Sequence, residues 1–203
     1  MDKIGICNMA IGYVGGNSIM SFADESLEAN QCELNYDIAR EFCLESRDWT
    51  FAATFKKLTA SPAVSPSEFG FSFPIPADCL VIRVVSDNED MLSPVVYQKD
   101  GRRLVSDAAE IYIKYTKNIV DTSLFSPSFD VATAHKLGEF IASAISGDKT
   151  LKRTLMVESE ALLEGGGAID GMQGSPKRAF ASKLLSARYR YGYSGIGPYI
   201  YGR

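Results

Sequence analysis

Four kinds of residue in this 203-residue chain could do chemistry: one histidine, four cysteines, a group of closely spaced glutamates, and a cluster of arginines and tyrosines. Histidine titrates near neutral pH and can serve as a general base, but His135 has no Ser or Cys close in sequence to activate. Its neighbours at helical spacing are Val131 and Glu139, and pairing with Glu139 is the expected arrangement. Glu158, Glu160 and Glu164 have spacings from which a two-carboxylate acid catalyst could be built, although on a charged helix such residues form the solvated face. Cys7, Cys32, Cys43 and Cys79 contain no CxxC or CxxxC pair, whereas a zinc site needs closely placed ligands and usually histidine. Gly12 to Ser18 carries the glycines of a phosphate loop, but it follows a helical pattern and lacks the lysine after the last glycine, so it reads as a helix C-terminal turn. No catalytic set, metal site or cofactor site is expected.

The arginine and tyrosine cluster points instead to binding. Gly171 to Arg203 holds six of the 21 Lys and Arg residues, none of the 25 Asp and Glu residues, and five of the ten tyrosines. The remainder keeps 15 basic residues against 25 acidic, so a body of charge −10 carries an arm of charge +6. Within the arm, Arg188, Tyr189, Arg190, Tyr191, Tyr193, Tyr199 and Tyr201 alternate with small residues, while Gly195, Gly197 and Pro198 break any helical period. Tyrosine offers a large apolar face with a polar tip and little rotamer entropy to lose, which suits a segment that lies on another molecule. Arg and Tyr together also supply phosphate contacts and stacking platforms, so a nucleic-acid-binding module is the alternative; the acidic body would repel a nearby duplex.

These residues must be carried by a body of ordinary composition, 46% apolar, without a run of 18 apolar residues or a signal-peptide core, which reads as cytoplasmic. Lys3 to Val14 has apolar residues at helical spacing and stops at Gly15-Gly16. Glu25 to Arg47, free of Gly and Pro, predicts a long amphipathic helix capped by Asp24 or Ser26, with Cys32, Tyr36, Ala39 and Cys43 as a buried stripe and Leu27, Leu34, Ile38 and Phe42 beside it. Trp49 and Phe51 then close one end of the core. Ala60 to Ala77 contains Pro62, Pro66, Pro74 and Pro76 and reads as an irregular or extended connection. Three or four strands follow at about 79–115, with a hairpin in which Lys99-Asp100-Gly101 joins Pro94–Gln98 to Arg102–Ser106. Two helices, Pro127–Ser146 and Asp148–Glu164, are separated by Gly147.

The fold class is therefore α+β: an antiparallel helix bundle with a small inserted antiparallel β-sheet and an extended C-terminal arm. Residues 1–164 form the body, 165–175 a glycine-rich hinge around Gly165-Gly166-Gly167 and Gly171, and 176–203 the docking arm.

Several strings match, in order and spacing, a known family. Cys7 to Gly15 opens the first helix; Asn35-Tyr36-Asp37-Ile38-Ala39-Arg40 lies in the second, which ends in Arg47-Asp48-Trp49-Thr50-Phe51-Ala52. Phe73-Pro74-Ile75-Pro76-Ala77-Asp78-Cys79-Leu80 enters a strand, Lys99 to Leu104 forms the hairpin, and Ile113-Lys114-Tyr115 leads to Asp121 through Phe129. Over about residues 3–165 the chain resembles the head-to-tail adaptors, or tail tubular proteins A, of short-tailed bacteriophages. The resemblance implies a non-enzymatic virion protein, assembled in the host cytoplasm, that forms a homo-oligomeric ring, typically a dodecamer, at the head–tail interface. Its partners would be the portal protein, the tail nozzle protein, which resembles tail tubular protein B, and genomic DNA passing through the channel; no membrane is involved. Carried over by position, the hairpin at Lys99, Asp100, Gly101 and Arg102 would face the nozzle and the arm would dock on portal subunits.

Overall fold

The computed structural model describes residues 1–61 and 68–172, all within one compact unit. The docking arm at 176–203 lies outside the described residues. Helix α1 (Lys3–Val14) ends where Gly15 adopts a left-handed conformation (φ 77°), from which its N–H reaches back to Gly12 and Ile11 carbonyls. Such a turn costs a Cβ-bearing residue about 1 to 2 kcal/mol and costs glycine little. Helix α2 (Leu27–Ser46) starts at Ser26, whose hydroxyl accepts from the Ala29 N–H; Asp24 instead accepts from the Met20 and Ser21 N–H groups in the preceding loop. Helix α3 (Pro127–Ile145) and helix α4 (Lys149–Gly171) form a hairpin through Gly147, again at positive φ.

Helix α3 is the centre of the bundle, packed by α1, α2 and α4. That position explains a sequence with little solvated face: from Ala132 to Ala142 only His135 and Phe140 escape full burial. One end of this core is closed by aromatic rings. Trp49 sits edge-on to Phe129 at 5.2 Å between centroids, Phe51 and Phe125 complete the cluster, and the Trp49 indole N–H donates to the Cys43 carbonyl at 2.9 Å. Cys32, Tyr36, Ala39 and Cys43 are all buried along the α2 seam.

Two three-stranded antiparallel sheets fill the chain between α2 and α3. The first has strand order β1–β6–β3, with β1 (Ala53–Leu58), β3 (Cys79–Ser86) and β6 (Ile111–Lys117). The second has order β2–β5–β4, with β2 (Phe71–Pro74), β4 (Tyr97–Asp100) and β5 (Arg103–Ser106). The β region thus begins at Ala53 rather than near 79 and makes two sheets rather than one. Pro74 is compatible with β2 because that strand lies at a sheet edge, where a missing N–H breaks no inner ladder. Arg83 of β3 ties the first sheet to the bundle: its guanidinium donates to the Leu44, Glu45 and Arg47 carbonyls and to the Thr116 hydroxyl, placing a cation on the C-terminal end of α2.

Two expectations are corrected. Gly165, Gly166, Gly167 and Gly171 do not form a hinge; α4 runs through all of them. Close packing explains Gly166, where a Cβ would lie 3.1 Å from the Ser128 Cβ and 3.2 Å from the Trp49 ring; at Gly165 and Gly171 a Cβ would meet nothing within 4 Å. The turn beyond is held by Asp170, a buried carboxylate that accepts from the Thr50 N–H and from the Thr50 hydroxyl at 2.9 Å. The second correction concerns α2. Leu27, Leu34 and Ile38 lie on the side opposite the buried stripe and are 52%, 61% and 59% exposed, whereas Phe42 flanks the stripe as expected, 44% exposed with its ring against Lys136. At 100° per residue, Ile38 stands about 200° around the helix from Tyr36.

Candidate partner-binding surfaces

The groups that could do chemistry are dispersed and mostly tied up. His135 stacks on Tyr13, with 4.1 Å between ring centroids, and its Nδ1 lies 3.6 Å from Glu158 of α4. Burial holds the imidazole below its ordinary pKa, partly offset by the Glu158 charge. The expected pairing with Glu139 does not form; Glu139 accepts instead from Lys136 at 2.8 Å. Glu164 pairs with Arg47 at the surface. The Cys7 thiol is pushed up by its hydrogen bond with Cys32 and by burial, and burial pushes Cys43 to about 12, so both are packing groups and poor nucleophiles. In the glycine turn after α1, Glu28 accepts from the Asn17 backbone N–H at 3.0 Å, a carboxylate where a phosphate loop would hold its anion. Among the described residues no group of three or more His, Cys, Asp or Glu is placed to hold a metal, and no helix is long and apolar enough to cross a membrane.

What the body does present is contact surface. Strand β4 is exposed along its whole length at the edge of the second sheet. Lys99 and Asp100 belong to that strand, paired with Leu104 and Arg103, so the turn residues are Gly101 and Arg102 rather than Lys99 to Gly101. Gly101 takes φ 55° at the first turn position while Arg102 stays negative, the sign pattern of a type II′ hairpin. The tip is anchored from below: the Ile75 N–H donates to the Arg102 carbonyl at 2.9 Å, and the Arg102 guanidinium reaches the Pro76 and Ala77 carbonyls. Arg102 therefore positions the turn, and Lys99 and Asp100 are left exposed beside it. Cys79 lies beneath them in a cleft of about 60 Å³; burial raises its pKa despite the nearby Lys99 and Arg102 charges.

Two further surfaces lie on the helices, and neither was expected from the sequence. One is the outer stripe of α2. The other is a shallow apolar groove of about 400 Å³ between the start of α3 and the second half of α4, lined by Pro127, Val131, Ala161, Leu162 and Ile169. The α2 stripe had a signal: apolar residues recur on both sides of that helix, at 27, 34, 38 and 42 as well as at 32, 36, 39 and 43. Arg188, Tyr189, Arg190, Tyr191, Tyr193, Tyr199 and Tyr201 fall outside the described residues. No protein-family model matches the chain, and no curated protein matches it significantly.

Proposed function

We propose that the chain is a structural, ring-forming adaptor that joins a capsid portal to a tail nozzle in a short-tailed phage and lines the DNA exit channel. The observation that supports it most is the way the body divides its residues. The groups suited to catalysis are paired or buried singly, His135 beside Glu158, Glu139 on Lys136 and Cys43 in the core, while four large apolar residues of α2 stand uncovered. A protein arranged in this way is suited to contacts with other chains and poorly suited to a reaction. The reading also draws on the order of the matching strings, on the exposed β4–β5 hairpin, and on the basic, Tyr-rich arm carried by an acidic body. That acidity suits a channel that DNA must cross without being held by its phosphates.

The roles follow the surfaces. The helices make the ring wall, the hairpin with Lys99 and Asp100 meets the nozzle, and the arm tyrosines dock on portal subunits. The test is assembly of phage particles with Tyr189, Tyr191 and Tyr193 changed together to Ser. Particles deficient in tails, and a portal interaction that is insensitive to salt, are expected. A defect reproduced by raised salt alone, together with tight binding of the intact chain to DNA, would replace this reading with the nucleic-acid-binding module.

A further inference from the structure

The outer stripe of α2 has a complement on the same chain. Leu34, Ile38 and Phe42 form an apolar ridge, and Glu33, Asp37, Glu41 and Glu45, four residues apart, run along one side of it. Asp37 is paired with Arg40 and Lys3 and Glu41 with Arg40, whereas Glu33 and Glu45 have no ion pair among the described residues. The Phe42 ring rests on the Lys136 ammonium, 4.0 Å from the ring centroid, which fixes its inner face and leaves the other outward. On the first half of α4 a shallow depression is lined by Lys149, Lys152, Arg153 and Met156, and Val157 stands exposed beside it. None of these three cations has an acidic partner among the described residues.

We infer that the acidic-apolar ridge of α2 docks into the basic depression on α4 of a second copy of this chain. The two surfaces differ, so the contact is head-to-tail: each copy has one of each, and repetition gives a closed ring when the rotation permits. Charge complementarity selects this pairing over α2 against α2, which would set Glu33 and Glu45 against their own kind. The area decides its strength. A 20-residue helix face is about 30 Å long and roughly 10 Å wide, on the order of 300 Å², well short of the roughly 800 Å² per partner of a stable dimer. One such contact is therefore weak, and ring closure or a template must hold the copies together.

The pairing rests on the ring reading, and its test separates the two. Full-length Ile38→Cys and full-length Met156→Cys are oxidised mildly, singly and mixed, over a concentration series, with the unsubstituted chain as background; both positions are on the surface, and unchanged thermal melts establish folding. The mixture is expected to give a covalent dimer, and each variant alone only monomer. Adding Lys152→Glu and Arg153→Glu to the Met156→Cys chain should lower the yield at least about tenfold, and Glu33→Lys with Glu45→Lys on the Ile38→Cys chain should restore most of it. Dimers from Ile38→Cys alone, or no product from the mixture at any concentration, would overturn the pairing. Cross-linking without capture by a portal would keep the pairing and overturn the adaptor; capture without cross-linking would do the reverse.

Discussion

The helical core and the β region of this protein are built to different standards. Among the described residues, 23 buried ones on the helices and the segments that flank them, among them Trp49, Tyr36 and Phe129, form one continuous cluster around α3. The two sheets share a cluster of seven: Leu58, Phe73, Val85, Leu104, Ile111, Ile113 and Tyr115. The larger cluster can absorb the exposed α2 stripe without losing its fold, because its stability comes from the opposite face. The smaller one supports a hairpin whose edge strand is wholly exposed, and local hydrogen bonds from Arg102 and Ile75 hold the tip where little core lies beneath it. The helices supply rigidity, and the sheets supply a surface that tolerates change.

Truncation in each region tests the contrast most severely. Trp49→Ala removes the hub of the aromatic cluster and should cost about 3 to 5 kcal/mol in chemical denaturation. Leu104→Ala should cost less, about 2 to 3 kcal/mol, and in hydrogen exchange it should open the β4 and β5 amides while those of α3 keep their protection. Equal loss of protection in both regions would show that the two clusters unfold as one unit.

Arg83→Ala removes one of the links between them, beside Lys114 with Asp48 and Arg40 with Asn118. Losing a charged donor to three carbonyls at the end of α2 should cost about 2 kcal/mol and loosen the sheet from the bundle in the same exchange experiment. The glycines of α4 give a smaller, signed effect. At Gly165 a Cβ meets nothing within 4 Å, so Gly165→Ala should stabilise by about 0.5 to 1 kcal/mol, whereas Gly166→Ala must push Ser128 or Trp49 aside and should lower the melting temperature. A true hinge would respond alike at both positions.

The smallest effect is one of pH. Because burial holds His135 below its ordinary pKa, the unfolded chain binds more protons just below about pH 6.5, and stability should fall as pH drops through that window. In His135→Gln that slope should vanish, as read from urea midpoints between pH 7 and pH 5.5.

Sequence periodicity located the helices well where one face is buried against one neighbour. Helix α1 and its Gly15 exit, Ser26 as one of two cap candidates, and the break at Gly147 were all legible. What failed depended on facts from elsewhere in the chain. Gly165 to Gly167 look like a hinge until Trp49 is known to lie against Gly166. Leu34 and Ile38 look like core because they are apolar in an amphipathic helix, and only the packing of α3 on one side shows which stripe is left over. His135 is four residues from Glu139 in sequence, yet it faces Glu158 across a helix pair. Strands β1 and β2 gave little signal: β1 is rich in lysine and β2 ends in proline, features of sheet edges rather than centres. Of the candidate site, the hairpin was legible because Gly101 marks its turn; the α2 surface left a signal in apolar residues on both sides of that helix, and the α4 surface became visible only when exposure was known.

Electron micrographs of the purified full chain, alone and mixed with the portal protein from the same genome, test the adaptor most directly. Monomers or weak, open associations are expected alone, and a discrete ring stacked on the portal in the mixture. A portal unchanged by saturating chain, or stable closed rings formed at micromolar concentration without it, would contradict the account.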